Sequence, residues 1–297
     1  MDDYKKWRDL ASYEAIAKPD EIINMVLVNG HIEQVNWELW TANARAAKKH
    51  DLPFVSDLYD TRRGPCIVVG AGPSLARNAA SLRIARDCGV DFIATDRALQ
   101  ELRGIGIKES MSVTTECQPE CGDFLLAAGR GDVVAVGLHS CESTRDALVE
   151  RGCEVYNVAF MAPNTAYSKY CAELFGRDVT CVRPGIVVTY MAVDIAVWMG
   201  YDPVFTVGND LCYDDYLSCT ADTEIRDDGG RGYIRQLADG RWTFPIFEEA
   251  ASLFRNFVIL HQDRQFFDIS GGIAQWPQIS TEEMLGRVAK PVLAPSF

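Results

Sequence analysis

The sequence predicts an α/β protein: a Rossmann-like, doubly wound, mostly parallel sheet with an N-terminal helical appendage. Three observations predict it. Short apolar runs rich in β-branched residues recur from Cys66 onward, each apolar along its whole length, as strands covered on both faces are. Helical patterns separate these runs. The first run ends in Gly70-Ala71-Gly72-Pro73-Ser74, a glycine turn of the kind that passes a buried strand directly into a helix.

The elements follow in order. Residues 1–63 read as a helical segment and 64–297 as the α/β domain. In the first part Leu39, Trp40, Ala42 and Ala46 fall at helical spacing and predict an amphipathic helix over 33–50. The turn-rich stretch 60–65 closes that segment. Residues 66–70 form the first strand, and Ser74 is a candidate cap for a helix over 75–88. Strand 91–95 and a short helix over 97–102 come next. Strands 111–115 and 132–136, helix 142–151 and strand 154–158 continue the alternation, and helix 187–200 leads into strand 204–208. The alternation then stops. Segments 233–238 and 242–244 flank Asp239-Gly240, a hairpin signal. Pro245 suits the first turn of a helix running to Leu260.

Composition narrows the function. A net charge of −13, from 29 Lys and Arg against 42 Asp and Glu, excludes a general nucleic-acid binder. The same charge opposes any anionic ligand. A phosphate site must therefore be built locally, from backbone N–H groups, a few cations or a bound metal. Ten cysteines contain no Cys-x-x-Cys, and Cys117 and Cys121 are the closest pair. The start of the chain, Met-Asp-Asp-Tyr-Lys-Lys, has no apolar core, and no run approaches the ~20 apolar residues of a membrane span. The expectation is a cytoplasmic protein with reduced, mostly buried thiols, no membrane contact and a homo-oligomer as an open possibility.

Candidate chemistry gathers at strand ends. At the glycine turn, Gly70 and Gly72 permit close approach, and the peptide N–H groups of Ala71 to Leu75 (Pro73 excepted) stand where an anion binds a helix start. Ser74 either caps the helix or donates to a phosphate oxygen. The turn is neither a dinucleotide fingerprint nor a Walker A loop, since no third glycine and no Gly-Lys-Ser/Thr follow. Asp96, directly after the second strand, either reaches a ribose or caps the next helix. Glu116 ends the third strand in the same way, as a metal or substrate ligand or as a solvated loop acid. Gly208-Asn209-Asp210-Leu211 ends a later strand, with Asp214 and Asp215 just beyond. Carboxylates beside phosphates suit Mg²⁺, and Asp210 is the candidate ligand, with Glu116 as its partner. His139 follows a strand end and reads as structural. Gly271-Gly272 form a second candidate loop, with Asp268 and Ser270 facing the cleft.

The segment 66–78 resembles the signature of the 6-hydroxymethylpterin diphosphokinase MptE-like family, which also supplies the core of flagellar motility accessory factors, proteins of glycosyltransferase-like type. The resemblance continues through 92–96, 106–107, 113–116 and 204–211 to the Gly-Gly segment at 267–273, and covers about 64–285. Glu116 stands where the family usually has Asp, and Asn209 where Gln is common. Residues 36–43 resemble the Asn-rich lead-in of the accessory factors. What the resemblance implies is ATP with Mg²⁺ and pyrophosphoryl transfer to the hydroxymethyl group of a reduced pterin. Two alternatives stand beside it: a sialyltransferase-like enzyme using a nucleotide-sugar, and a non-catalytic nucleotide-binding module.

Overall fold

The structure, a computed structural model, describes residues 36–160, 166–177, 179–182, 187–216 and 234–289. Its strands are β1 (Cys66–Val69), β2 (Asp91–Thr95), β3 (Met111–Thr114), β4 (Val133–Gly137), β5 (Glu154–Phe160), β6 (Thr180–Val182), β7 (Val204–Val207), β8 (Arg235–Gln236), β9 (Trp242–Thr243) and β10 (Phe266–Asp268). Eight of them form one sheet in the order β10-β7-β1-β2-β3-β4-β5-β6. Every pairing in it is parallel. β8 and β9 pair antiparallel around the Asp239-Gly240 turn, as the sequence predicts.

The helices are α1 (36–48), α2 (Ser74–Arg77), α3 (Ala79–Asp87), α4 (Asp96–Gly104), α5 (Glu142–Glu150), α6 (Ala166–Phe175), α7 (Val188–Met199), α8 (Pro245–Leu260) and α9 (Thr281–Val288). Strand side chains alternate between two cores, because successive Cβ atoms point to opposite faces. Cys66, Val68, Ile93, Val113 and Val204 meet α7 and α8 on one face. Ile67, Val69, Phe92, Ala94 and Phe205 meet α3, α4 and α9 on the other. α7 is buried all round from Thr189 to Met199 and is apolar apart from Thr189 and Asp194. Gly200 ends it in the left-handed region (φ +102°), where an added Cβ would strike the Arg62 carbonyl at 2.6 Å.

Several boundaries differ from the sequence reading. The helix expected over 75–88 is two helices. Asn78 leaves helical geometry (φ −97°, ψ 4°) between them, and its side-chain amide donates to the Ser74 carbonyl at 2.8 Å. Pro73, rather than Ser74, is the capping residue of α2. In α1 the expected apolar face holds at Ala46, which is buried, and at Trp40, which packs on the core, but not at Leu39, 45% exposed, or at Ala42; Asn43, Ala44 and Ala47 are buried instead. Asn43 is polar and masks the pattern, yet its side-chain amide donates to the His139 carbonyl at 2.8 Å. α6, β6, β10 and α9 have no counterpart in the sequence reading. The described part of residues 1–63 packs directly on the α/β body: Ala44, Ala47 and Phe54 share a core with Leu138, Ala159 and Tyr167.

Chain order sets the site. From β1 the sheet grows outward through β6, and then the chain returns to lay β7 on the other side of β1. The strand order therefore reverses between β1 and β7, and the crevice outside their carboxyl ends is where open α/β sheets bind ligands.

Candidate functional site

The glycine turn follows β1, and Gly208-Asn209-Asp210 follows β7, so the two sequence candidates meet at the reversal point. They interlock closely. A Cβ on Gly70 would strike the Gly208 carbonyl and, at 2.9 Å, the Thr189 hydroxyl. One on Gly72 would strike the Asp210 carboxylate and, at 2.8 Å, the Gly208 carbonyl; one on Gly272 would strike the Asp210 backbone. The close approach that these glycines permit is thus between segments of the protein itself, where the sequence reading gave it to a phosphate.

Two serine–aspartate pairs fix the loop. Ser74 donates its hydroxyl to the Asp210 carboxylate at 2.7 Å and accepts the Gly208 N–H at 2.8 Å. Ser270 donates to Asp268 at 2.8 Å and accepts the Asn209 N–H at 3.0 Å. Asp268, fully buried, also receives Thr206 (2.6 Å) and Gln278 (2.8 Å), so it and Ser270 buttress the loop from behind. Burial pushes the carboxyls of Asp210 and Asp268 above the usual range, and the hydroxyl donors oppose that shift.

The turn's amides are largely engaged. Gly70 N–H goes to the Val207 carbonyl, Gly72 N–H to Gly208, Leu75 N–H to Gly72, and Ser74 N–H to Asp210 at 3.2 Å. Pro73 has none to give. The Asp210 carboxylate therefore lies against the amide that the sequence reading offered to a phosphate.

A cation stands at the rim. Arg77, half-exposed, donates to Asp210 at 2.9 Å and to Asp214 at 2.8 Å, so one guanidinium lies between two carboxylates. Arg77 carries no motif signal in the sequence, although it lies three residues beyond Ser74, where a short helix turns it back over the turn. Asn209 carries a further signal. It is 2% exposed, and neither its side-chain oxygen nor its nitrogen has a partner. A buried amide with both groups unpaired is costly, and such groups mark places where a ligand completes the bonding.

The remaining candidates sit elsewhere on the same sheet edge. Asp96 is the first residue of α4, after the capping residue Thr95. It is 3% exposed, and it accepts the Arg97 N–H and the Thr114 hydroxyl, both at 2.7 Å. Burial raises its carboxyl to about 6, helped by the negative charge of Glu116. Glu116 is thus a neighbour of Asp96. From Asp210 it is three strand positions away, roughly 14 Å of sheet. The structure does not bring Asp210 and Glu116 onto one ion; the acid beside Asp210 is Asp214. Among the described residues no group of three or more His, Cys, Asp or Glu is placed to hold a metal. His139 is buried against Trp40, with ring centroids 5.0 Å apart. Burial lowers its imidazole to about 4, consistent with a neutral structural residue.

The family described as 6-hydroxymethylpterin diphosphokinase MptE-like matches residues 40–216. That match begins inside α1, ahead of the glycine turn. The MAf glycosyltransferase from Magnetospirillum magneticum AMB-1 is similar in structure, with a TM-score of 0.56 at 17% identity. The likeness covers 78% of this chain and 34% of that one, so the chain spans about a third of that protein's length. At this identity the likeness establishes a common fold. No curated protein matches the sequence. Among the described residues no helix is long and apolar enough to cross a membrane.

Proposed function

This chain belongs to the 6-hydroxymethylpterin diphosphokinase MptE-like family, and from that premise we propose that it is a nucleotide-dependent transferase working at the β1/β7 crevice. The observation that carries the reading is Asn209: a buried, unpartnered amide at the point of the sheet where nucleotides bind. It offers one acceptor and two donor hydrogens to a ligand. Arg77 is the cation at the rim, but Asp210 and Asp214 both pair with it, so in a chain of net charge −13 phosphates would need a metal ion held there as well. To Asp96, which directly follows β2, we assign the contact with the ribose, as an acid after the second strand often makes in such sheets.

The reaction we propose is pyrophosphoryl transfer from ATP to the hydroxymethyl group of a pterin-like acceptor. The acceptor oxygen bonds to the β-phosphorus, the bond from that phosphorus to the α–β bridging oxygen breaks, AMP leaves, and the hydroxyl proton passes to solvent. Such a step asks little covalent work of the protein, and positioning carries the rate. The donor set suits Mg²⁺: Asp210 and Asp214 already face one cationic group, the Arg77 guanidinium, and would hold the ion. When bound there, Mg²⁺ would neutralise phosphate charge. Asp210 has a second role through its bonds to Ser74 and Arg77, which hold the two loops in register.

A glycosyl transfer from a nucleotide-sugar is the second reading, supported by the fold shared with the MAf glycosyltransferase. Thermal-shift titration with ATP and with CMP-, UDP- and GDP-sugars, each with Mg²⁺ and with EDTA, separates the two. The diphosphokinase reading expects Mg-ATP to give the largest shift and AMP to form when the pterin is added. A nucleotide-sugar giving the largest shift replaces it with the second reading. No shift with any nucleotide at millimolar concentration overturns both.

A further inference from the structure

The carboxyl end of β4 carries a charge that the crevice chemistry does not use. Arg145, in the first turns of α5, is completely buried. Its Nη2 donates to the Gly137 carbonyl at 2.8 Å, and its Nε and Nη1 have no acceptor. The nearby acids are taken: Asp146 pairs with His50 at 2.7 Å and Glu142 with Lys49 at 2.8 Å. Burial lowers the guanidinium to about 10, which still leaves it charged at neutral pH. A buried, uncompensated charge is among the costliest features a fold can carry. Ser140 lies in the same turn, also completely buried, and its hydroxyl has no partner. The first amides of α5 lack acceptors within the helix, and its capping residue Cys141 caps none of them, its Sγ lying instead against the Ser143 hydroxyl at 3.1 Å.

We propose that Arg145, Ser140 and the N-terminus of α5 form an oxyanion site for a phosphate or carboxylate group that the acceptor substrate carries in addition to its pterin-like ring and hydroxymethyl group. Guanidinium, hydroxyl and helix N-terminus are three kinds of group that favour an anion. The site lies on the same sheet edge as the β1/β7 crevice, three strand positions from β1, roughly 14 Å away. A nucleotide at the crevice and an anionic acceptor anchored at β4 would meet between them. The word acceptor rests on the function proposed above; the anion site itself does not.

The test uses the full chain. Thermal unfolding is followed in sodium phosphate and in sodium acetate, each against sodium chloride at matched ionic strength, with ATP titrated in parallel. The wild type is expected to gain stability saturably in phosphate or acetate beyond the chloride control, and the stronger of the two identifies the group. Ser140→Ala should weaken that response about fivefold, the value of one hydrogen bond, with ATP affinity unchanged. Arg145→Met should lose the response while unfolding in chloride at or above the wild-type temperature, because an apolar chain replaces an unpaired charge. A wild type indifferent to both anions, or a Ser140→Ala protein responding like wild type, overturns the site. Should Arg145→Met fail to fold, Ser140→Ala still decides. ATP affinity falling together with the phosphate response would assign the anion to the nucleotide and overturn the acceptor. A phosphate response in a protein that binds no nucleotide keeps the site and removes the function above.

Discussion

At the scale of single residues, burial sets the behaviour of the site. Asn209 lacks partners for both side-chain atoms, so Asn209→Leu removes a cost of about 1–3 kcal/mol and fills a similar volume. The variant should match or exceed wild-type stability in urea while losing at least tenfold in nucleotide affinity; unchanged affinity would take Asn209 out of the site. Asp96 makes a pH-dependent contribution. Its carboxyl ordinarily titrates at 3.8 and in the fold at about 6, because burial disfavours the charged form. The folded chain therefore holds this proton more tightly than the unfolded one. The stabilisation is full below about pH 4, falls as pH rises, and is gone above about pH 7. Its size is on the order of 2–3 kcal/mol. Urea unfolding of wild type and Asp96→Asn between pH 4 and 7.5 should show a steeper fall in the wild type, since Asp210 and Asp268, also raised by burial, slope both curves alike. Parallel curves for the two proteins would mean that Asp96 titrates normally.

At the scale of elements, two turns and a loop act as one unit. The β1–α2 turn cannot take its path unless Gly72 lacks a Cβ, since Asp210 and the Gly208 carbonyl fill that space. Gly208 itself has φ +68°. Gly72→Ala is therefore expected to cost about 2–4 kcal/mol of folding stability, as overpacking of a closed contact does. Gly129→Ala, where nothing lies within 4 Å, should change stability by less than about 0.5 kcal/mol. Equal urea midpoints for the two variants would show that the turn relaxes freely. The glycine turn was legible in the sequence because strand, glycines and helix are contiguous. What the second glycine accommodates was not, because Asp210 lies 138 residues further along the chain.

At the scale of the whole molecule, α1 and the segment after it belong to the packed body. Trp40 meets Tyr167 and His139 at ring distances of 5.3 and 5.0 Å, and Phe54 bridges to Asn157 beside β5. Farther along, the backbone of Asp60 and Arg62 bonds the end of α7, at 3.0 and 2.8 Å. A chain starting at residue 64 should expose the core of Leu138, Ala159 and Tyr167, bind a hydrophobic dye and unfold with reduced cooperativity. A truncated chain with a sharp, wild-type transition and no dye binding would show that the first 63 residues are dispensable for the fold.

By itself the sequence determined the fold class, the order of the early strands and helices, and the turn at which β1 enters α2. Those features rest on local periodicity and on glycine placement, which neighbouring residues decide. It also pointed to a crevice, since Gly70 and Asp210 both follow apolar strands. α9 went unread although its start carries a local signal: Ser280 and Glu283 form a capping box there. β6 was harder to read: three residues carry little periodicity. Only the tertiary structure decided which candidates meet. Strand order laid β7 against β1 and so joined Asp210 to Ser74 and Arg77, while it placed Glu116 beside Asp96. It alone showed Asn209 and Arg145 to be buried without full bonding, because whether a polar group finds a partner depends on segments far away in the chain.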